Sequence, residues 1–185
     1  MILDIRVLGD PILRQTTTPV PAVTPELLQL ADNMLDTMYA AQGIGLAAPQ
    51  VGRTERMFVC NVDQRPMVLF NPEVIAGEGS IKGEEGCLSI PEVFGEVERK
   101  ARVRVRAISR DGAQIEVEGT ELLSRCLQHE IDHLHGRLFI DYLGFLKRRK
   151  AMAAWDEEKV KYPGFIRRLT SEEIAAAERG GEPKF

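Results

Sequence analysis

Apolar side chains recur at helical spacing in two stretches of the chain, and between these they come in short, strand-like runs. From Thr24 or Pro25 to about Ala41, the residues Leu27, Leu28, Ala31, Met34, Leu35 and Met38 share one face, and Thr24 and Pro25 supply start signals for a helix. The second stretch, residues 120–135, holds no proline or internal glycine and is bracketed by Gly119 and Gly136. At about 100° per residue, Leu122, Leu123, Cys126, Leu127, Ile131 and Leu134 fill one half of its wheel. Ser124, Arg125, Gln128, Asp132 and His135 fill most of the other half. The runs 56–62, 67–70, 73–76, 103–109 and 114–118 read as strands, with Asp111 and Gly112 turning the chain between the last two. A further helix is expected from Phe145 to about residue 160. The proline-bearing segment 16–25 and GIGLAAPQVG (43–52) read as loops, the latter too irregular for a helix or a regular strand. Strands grouped ahead of a core helix point to an α+β fold, with antiparallel sheets packed around that central helix. No repeat or linker divides the chain. One domain is expected over 1–185, with a C-terminal helix and a tail after about residue 150.

The central helix also carries chemistry. His129-Glu130-Ile131-Asp132-His133 matches His-Glu-x-x-His, the helical metal-site motif of metal-dependent hydrolases. Positions four apart lie on one helix face, so His129 and His133 can grip a single ion. Glu130 falls near the middle of the apolar half, where a carboxylate is costly unless protonated, paired or catalytic. Beside a metal it can handle the protons of a water molecule. Two imidazoles leave a catalytic site one protein ligand short.

Three sources for that ligand can be tested by position. A third histidine in the metzincin spacing would fall on Phe139, which removes that option. A carboxylate on a later helix finds only Asp141, too close in sequence, and Glu157 and Glu158, in a charged run. Among thiols, Cys126 lies more than a helical turn below His133, and Cys60 sits in the apolar run Met57 to Cys60, where a buried inert thiol is the usual reading. Cys87, in the glycine-flanked turn GCLSIP, is the best placed of the three.

Composition narrows the setting. With 185 residues and 44% hydrophobic content the chain can bury one substantial core, and a net charge of −4 gives no reason to expect DNA or an anionic membrane as partner. No apolar run approaches the roughly 18 residues of a membrane span. The start, MILDIRVLGD, is not a secretory signal, and three widely spaced cysteines are no disulfide framework. A reducing cytosol is the expected location.

GIGLAAPQ (43–50), EGCLSIP (85–91) and QHEIDHL (128–134), in that order, resemble the three signature motifs of the peptide deformylases, and GDPILR (9–14) resembles their N-terminal segment. The likeness covers roughly residues 4–150. It implies an enzyme that removes the N-formyl group from the formylmethionine of new polypeptides and releases formate. By motif, Cys87, His129 and His133 become the metal ligands and Glu130 the acid/base residue. The Gln50 side-chain amide and the Leu88 backbone N–H become oxyanion donors, and Ile44, Gly45 and Gly86 pair with the peptide backbone. Tetrahedral Cys-His₂ ligation suggests zinc by default; the resemblance implies Fe(II) instead, with zinc, nickel or cobalt as occupants of a preparation. Cys126, Leu122 and Ile44 are expected around the methionine side chain, with Leu122 equally readable as core. Seven residues after the cysteine, where many relatives carry an arginine held to meet the peptide, this chain has Phe94. The partners implied are formylmethionyl peptides and nascent chains in a bacterial cytosol. The run Lys147, Arg148, Arg149 and Lys150 is read first as a solvated face and second as a ribosome contact. Finally, by parity along an expected strand from Arg99 to Ala107, Arg99 falls on the apolar face, and a buried salt bridge with Glu85 is expected.

Overall fold

The computed structural model describes residues 1–179. In chain order its elements are β1 (Ile5–Arg6), α1 (Pro25–Ala40), β2 (Gly45–Ala47), β3 (Met57–Val62), β4 (Arg65–Glu78), β5 (Ile81–Glu85) and β6 (Gly95–Arg99). There follow β7 (Arg102–Ile108), β8 (Gln114–Thr120), α2 (Glu121–Leu134), α3 (Phe145–Glu158), β9 (Ile166–Arg167) and α4 (Ser171–Glu178). Helix α1 starts where the sequence signals it, with the Thr24 hydroxyl accepting from the Leu27 N–H and Pro25 in the first turn.

Strands β2, β3, β4, β7 and β8 form one antiparallel sheet in that spatial order. Its middle is covered on both faces, and β3 shows how. Met57 and Val59 pack with Ala31, Met34 and Met38 of α1, while Phe58 and Cys60 pack with Cys126, Leu127 and Ile131 of α2. Period-two alternation thus sends successive residues of one apolar run to two different helices. Along β7, Val103, Val105 and Ala107 point inward, and the outward Arg102 and Arg106 pair with Glu118 and Glu116 of β8.

Several elements differ from the sequence expectation. The runs 67–70 and 73–76 belong to one long strand, β4, whose register shifts between Phe70 and Glu73. Pro72 has no N–H to offer, and Asn71, at φ +49°, exchanges two bonds of 2.8 Å with the backbone of Val20. The segment 43–52 contains β2, short but regularly paired with β3. The hairpin of β5 and β6 carries too many charges to stand out as strand, with Val97 one of its few fully buried apolar residues. Arg99 ends β6, in a different sheet from β7, because Gln128 binds both the N–H and the C=O of Lys100 and breaks the run there. In α2 the expected polar half is not a solvent face: Ser124 and Arg125 are buried.

The tail returns to the body of the molecule. β9 pairs antiparallel with β1, opposing Arg167 to Ile5, and α4 packs along α1. At the start of α4, Thr170 and Glu173 form a reciprocal capping box.

Candidate metal centre

Three segments converge on one cleft lined by buried residues. Gly43, Ile44 and Gly45 enter β2; Gly86, Cys87 and Leu88 follow β5; His129 and Glu130 come from the middle of α2; Gln50 completes the lining. Of the residues expected to hold the metal, catalyse or pair with the peptide backbone, all but His133 border this cleft, and His133 stands just behind it against Cys87 and His129. Cys126 and Leu122, expected around the methionine side chain, do not line it. Cys87 Sγ lies 3.3 Å from His133 Nε2, which lies 3.2 Å from His129 Nε2. All three ligand atoms fall within 4.8 Å of one another. Cys87 is buried and packed in a hydrophobic cluster.

Do these residues fit a metal ion? His129 Nδ1 lies 2.9 Å from the Glu85 carboxylate, which can only accept, so the ring proton sits on Nδ1 and Nε2 offers a lone pair inward. Burial, with the Arg99 charge adding, pushes His133 well below the usual imidazole range, so its ring is neutral and can offer a lone pair. Burial pushes the Cys87 thiol up to about 12, so a thiolate there requires a cation close by. In a tetrahedral site with bonds of about 2.0–2.3 Å, ligand atoms lie about 3.3–3.6 Å apart. The 3.3 Å separation falls at the lower end of that spacing and the 3.2 Å one just below it. The donor set fits one divalent ion with a side left open.

Around the ligands, two carboxyls have separate tasks. Glu85 is buried and accepts from Arg99 at 2.7 and 3.0 Å, from Arg125 at 2.8 Å and from His129. Burial alone would raise its pKa, but the hydrogen bonds from Arg99 and His129 outweigh this and hold it at about 2. Arg99 also binds Asp132 at 2.6 Å and lies over the Tyr142 ring, whose hydroxyl donates to the same Asp132. The expected pair of Glu85 and Arg99 is therefore present, inside a larger cluster. Arg125, Asp132 and Tyr142 were missed because helix periodicity placed the first two on a polar face. What could have signalled Arg125 is Gly83: its missing Cβ leaves room for that guanidinium.

Glu130 has no such company. Its Oε2 is buried with no hydrogen-bond partner, and Oε1 lies so close to Gly45 that a Cβ there would collide with it. Burial, with the charge of Glu85 adding, raises its carboxyl well above the ordinary range. Gln50 is fixed by accepting from the Ala47 N–H at 2.8 Å, which turns its amide NH₂ toward Ser89 Oγ and Cys87 Sγ. β2 is an edge strand of the large sheet. The Ile44 carbonyl is taken by the Asn61 N–H at 2.8 Å, so by antiparallel alternation Gly45 directs its N–H and C=O away from β3. Of the three residues expected to pair with the peptide backbone, Ile44, Gly45 and Gly86, the first has its carbonyl turned into the sheet. Cys126 reaches the same carbonyl with its thiol and is wholly buried, whereas Leu122 is exposed and not core.

A helix-borne His-Glu-x-x-His pair, a thiol completing the ligand set and a carboxyl facing an open side define a mononuclear metallohydrolase centre. The chain belongs to the polypeptide deformylase family, whose model matches residues 2–149. It is 51% identical to the peptide deformylase of Alkalilimnicola ehrlichii over 80% of this chain and 86% of that protein. It is also 51% identical to that of Desulfitobacterium hafniense, over 77% and 95%. The fold matches the crystal structure of a peptide deformylase from Legionella pneumophila with a TM-score of 0.84 at 41% identity, covering 87% of this chain and 97% of that one. It matches one from Synechococcus elongatus in complex with actinonin with a TM-score of 0.80 at 41% identity, covering 83% and 86%. The activity is accordingly that of a hydrolase that removes the formyl group from the N-terminus of new polypeptides.

Proposed function

We propose a division of labour within this site. Cys87, His129 and His133 hold one divalent ion, Fe(II) in the cell, with zinc, nickel or cobalt able to occupy the same ligands. When bound, the ion supplies Lewis acidity, acidifying a water molecule and polarising a carbonyl oxygen. Glu130 takes the proton of the attacking water and passes it to the departing methionine amine; its raised pKa suits the second transfer. The Gln50 amide and the Leu88 N–H donate to the formyl oxygen as negative charge builds there. The peptide lies as an added strand along the free edge of β2, bonded to Gly45 and facing Gly86. Ile44 contributes its side chain and Cys126 packs behind it. The observation that carries this reading is the carboxyl of Glu130, buried and unpartnered beside a three-ligand set with an open side.

Formate release from formyl-Met-Ala-Ser tests it. Cys87→Ala should lose most metal and activity, and Cys60→Ala should keep both; full metal content in Cys87→Ala protein would exclude the thiolate ligand. Iron-loaded enzyme should lose activity in air while nickel-loaded enzyme does not, and equal decay would count against iron as the native ion.

The whole chain acts as one catalytic unit in a bacterial cytosol. Its described cysteines are free thiols, and no described helix is long and apolar enough to cross a membrane. A ribosome contact would use the exposed cations of α3. Lys147 is paired with Glu96 and Arg148 with Asp141, which favours a solvated face.

A further inference from the structure

Beside the metal centre lies a second cavity of about 190 Å³, and the two share Cys87 and Leu88 as lining. Its near wall comes from Leu88, Pro91 and Phe94. Its far wall is Arg167, Glu173 and Ala176, from a tail that lies beyond the family match at residue 149. The volume is below the roughly 300–1,000 Å³ of a complete small-molecule site, so the cavity suits an annex of the cleft better than an independent pocket.

Its charged groups are held in place. Glu173 gives one carboxylate oxygen to the Thr170 N–H at 2.8 Å, closing the capping box, and the other to Arg167 Nη2 at 2.9 Å. Burial alone would raise the Glu173 pKa, but the bonds from Thr170 and Arg167 outweigh it, so the carboxylate stays charged. Pairing with Ile5 across β1 and β9 fixes the Arg167 backbone. A guanidinium has five N–H donors, and only Nη2 has a hydrogen-bond partner among the described residues. At the lips, Gln42 and Glu92 both adopt left-handed backbone angles, φ +57° and +60°, a conformation kept in non-glycine residues only where surroundings enforce it.

We propose that this tail-built wall is a binding subsite for the polypeptide downstream of formylmethionine, with Arg167 donating to a peptide carbonyl. The proposal rests on the deformylase reading above. A formyl group ends its chain, so substrate extends from the reacting bond through the methionine and onward in one direction only. The methionine thioether is a poor match for a guanidinium paired with a carboxylate, whereas peptide carbonyls match it well. The tail thereby becomes a determinant of which substrates this enzyme prefers.

The test compares metal-loaded wild type with Arg167→Ala on formyl-Met-Ala and on formyl-Met-Ala-Ser-Lys. Losing a charged donor to a carbonyl should lower kcat/KM for the longer peptide by about ten-fold, through KM. The value for the shorter one should stay within about two-fold, with metal content unchanged. Arg167→Lys should recover part of the loss. Arg168→Ala, at the neighbouring exposed position, should change neither substrate. Should Arg167→Ala fail to fold, Ala176→Trp fills the cavity from α4 and should show the same length-dependent loss. Equal effects on both peptides, or none on either, would overturn the subsite. Failure of wild type to release formate from any formyl peptide would instead overturn the deformylase reading.

Discussion

Glu85 at the end of β5 and Glu130 on α2 are both sealed from solvent beside His129. Around Glu85 stand two guanidiniums and an imidazole N–H, and its pKa is held at about 2. Glu130 lies against Gly45, one of its oxygens lacks a partner, and burial drives its pKa up. Burial acts on both in the same direction, so depth does not set the difference; the donors that the fold brings to each carboxylate do. A permanently ionised carboxylate can orient a ligand, and one near its protonation point can carry a proton. The fold sets one of each beside His129, Glu85 against its ring nitrogen and Glu130 next to it on α2.

Removing the carboxyl proposed to carry the proton should have the largest effect. Glu130→Gln keeps size and burial but cannot exchange the proton, so kcat should fall by about 10²–10⁴-fold while bound metal stays at the wild-type level. Steady-state kinetics with elemental analysis checks both. Wild-type turnover in this variant would erase the contrast between the two carboxyls.

The anchored side should fail through stability instead. Arg99→Ala strips Glu85 of its bidentate partner and Asp132 of the same guanidinium. Breaking one partner of a buried pair costs about 3–5 kcal/mol. Denaturant unfolding should report a loss of that size, with looser metal retention, because His129 depends on Glu85 for its orientation. Arg104→Ala, on an exposed position of β7 near Glu116, should stay within about 0.5 kcal/mol of wild type. Equal stabilities for the two variants would place the Arg99 cluster among surface pairs.

How much of this contrast could be read in the chain depends on which groups announce themselves. The histidine pair and Glu130 are legible because a helix fixes spacing, four residues returning to one face. Cys87 lies outside the helix and was reached through its turn position and the resemblance of its motif. The α2 register and the alternation along β7 follow from simple periods. Arg125 was not legible. Its wheel position is polar, and nothing local says that a two-stranded hairpin will cover it. That hairpin, β5 with β6, was itself hidden because its charged residues face solvent and its few buried positions are Val97, Glu85 and Arg99. The expectation for Arg99 reached the right partner through a strand that in fact stops at β6. Its parity argument was local, whereas the break at Lys100 is imposed by Gln128 from α2. The tail's return to β1 and α1 was equally out of reach, since Ile166 and Arg167 offer too short a strand signal.

Acid should sharpen the comparison most gently. Glu85 is lowered in the folded protein, so its stabilising contribution is complete above the ordinary value of about 4.5 and is lost as the pH falls through about 2. A difference of 2.5 pH units at about 1.36 kcal/mol each gives an upper figure of about 3 kcal/mol. Urea midpoints for wild type and Glu85→Gln, measured between pH 2 and 6, should therefore lie furthest apart at pH 6 and converge toward pH 2. The variant replaces the anchor with a neutral amide at every pH, so the Glu85 contribution to its own pH slope is gone. A separation that stayed constant across this range would mean that Glu85 titrates as an ordinary carboxyl. The two sides of His129 would then differ in packing and not in charge.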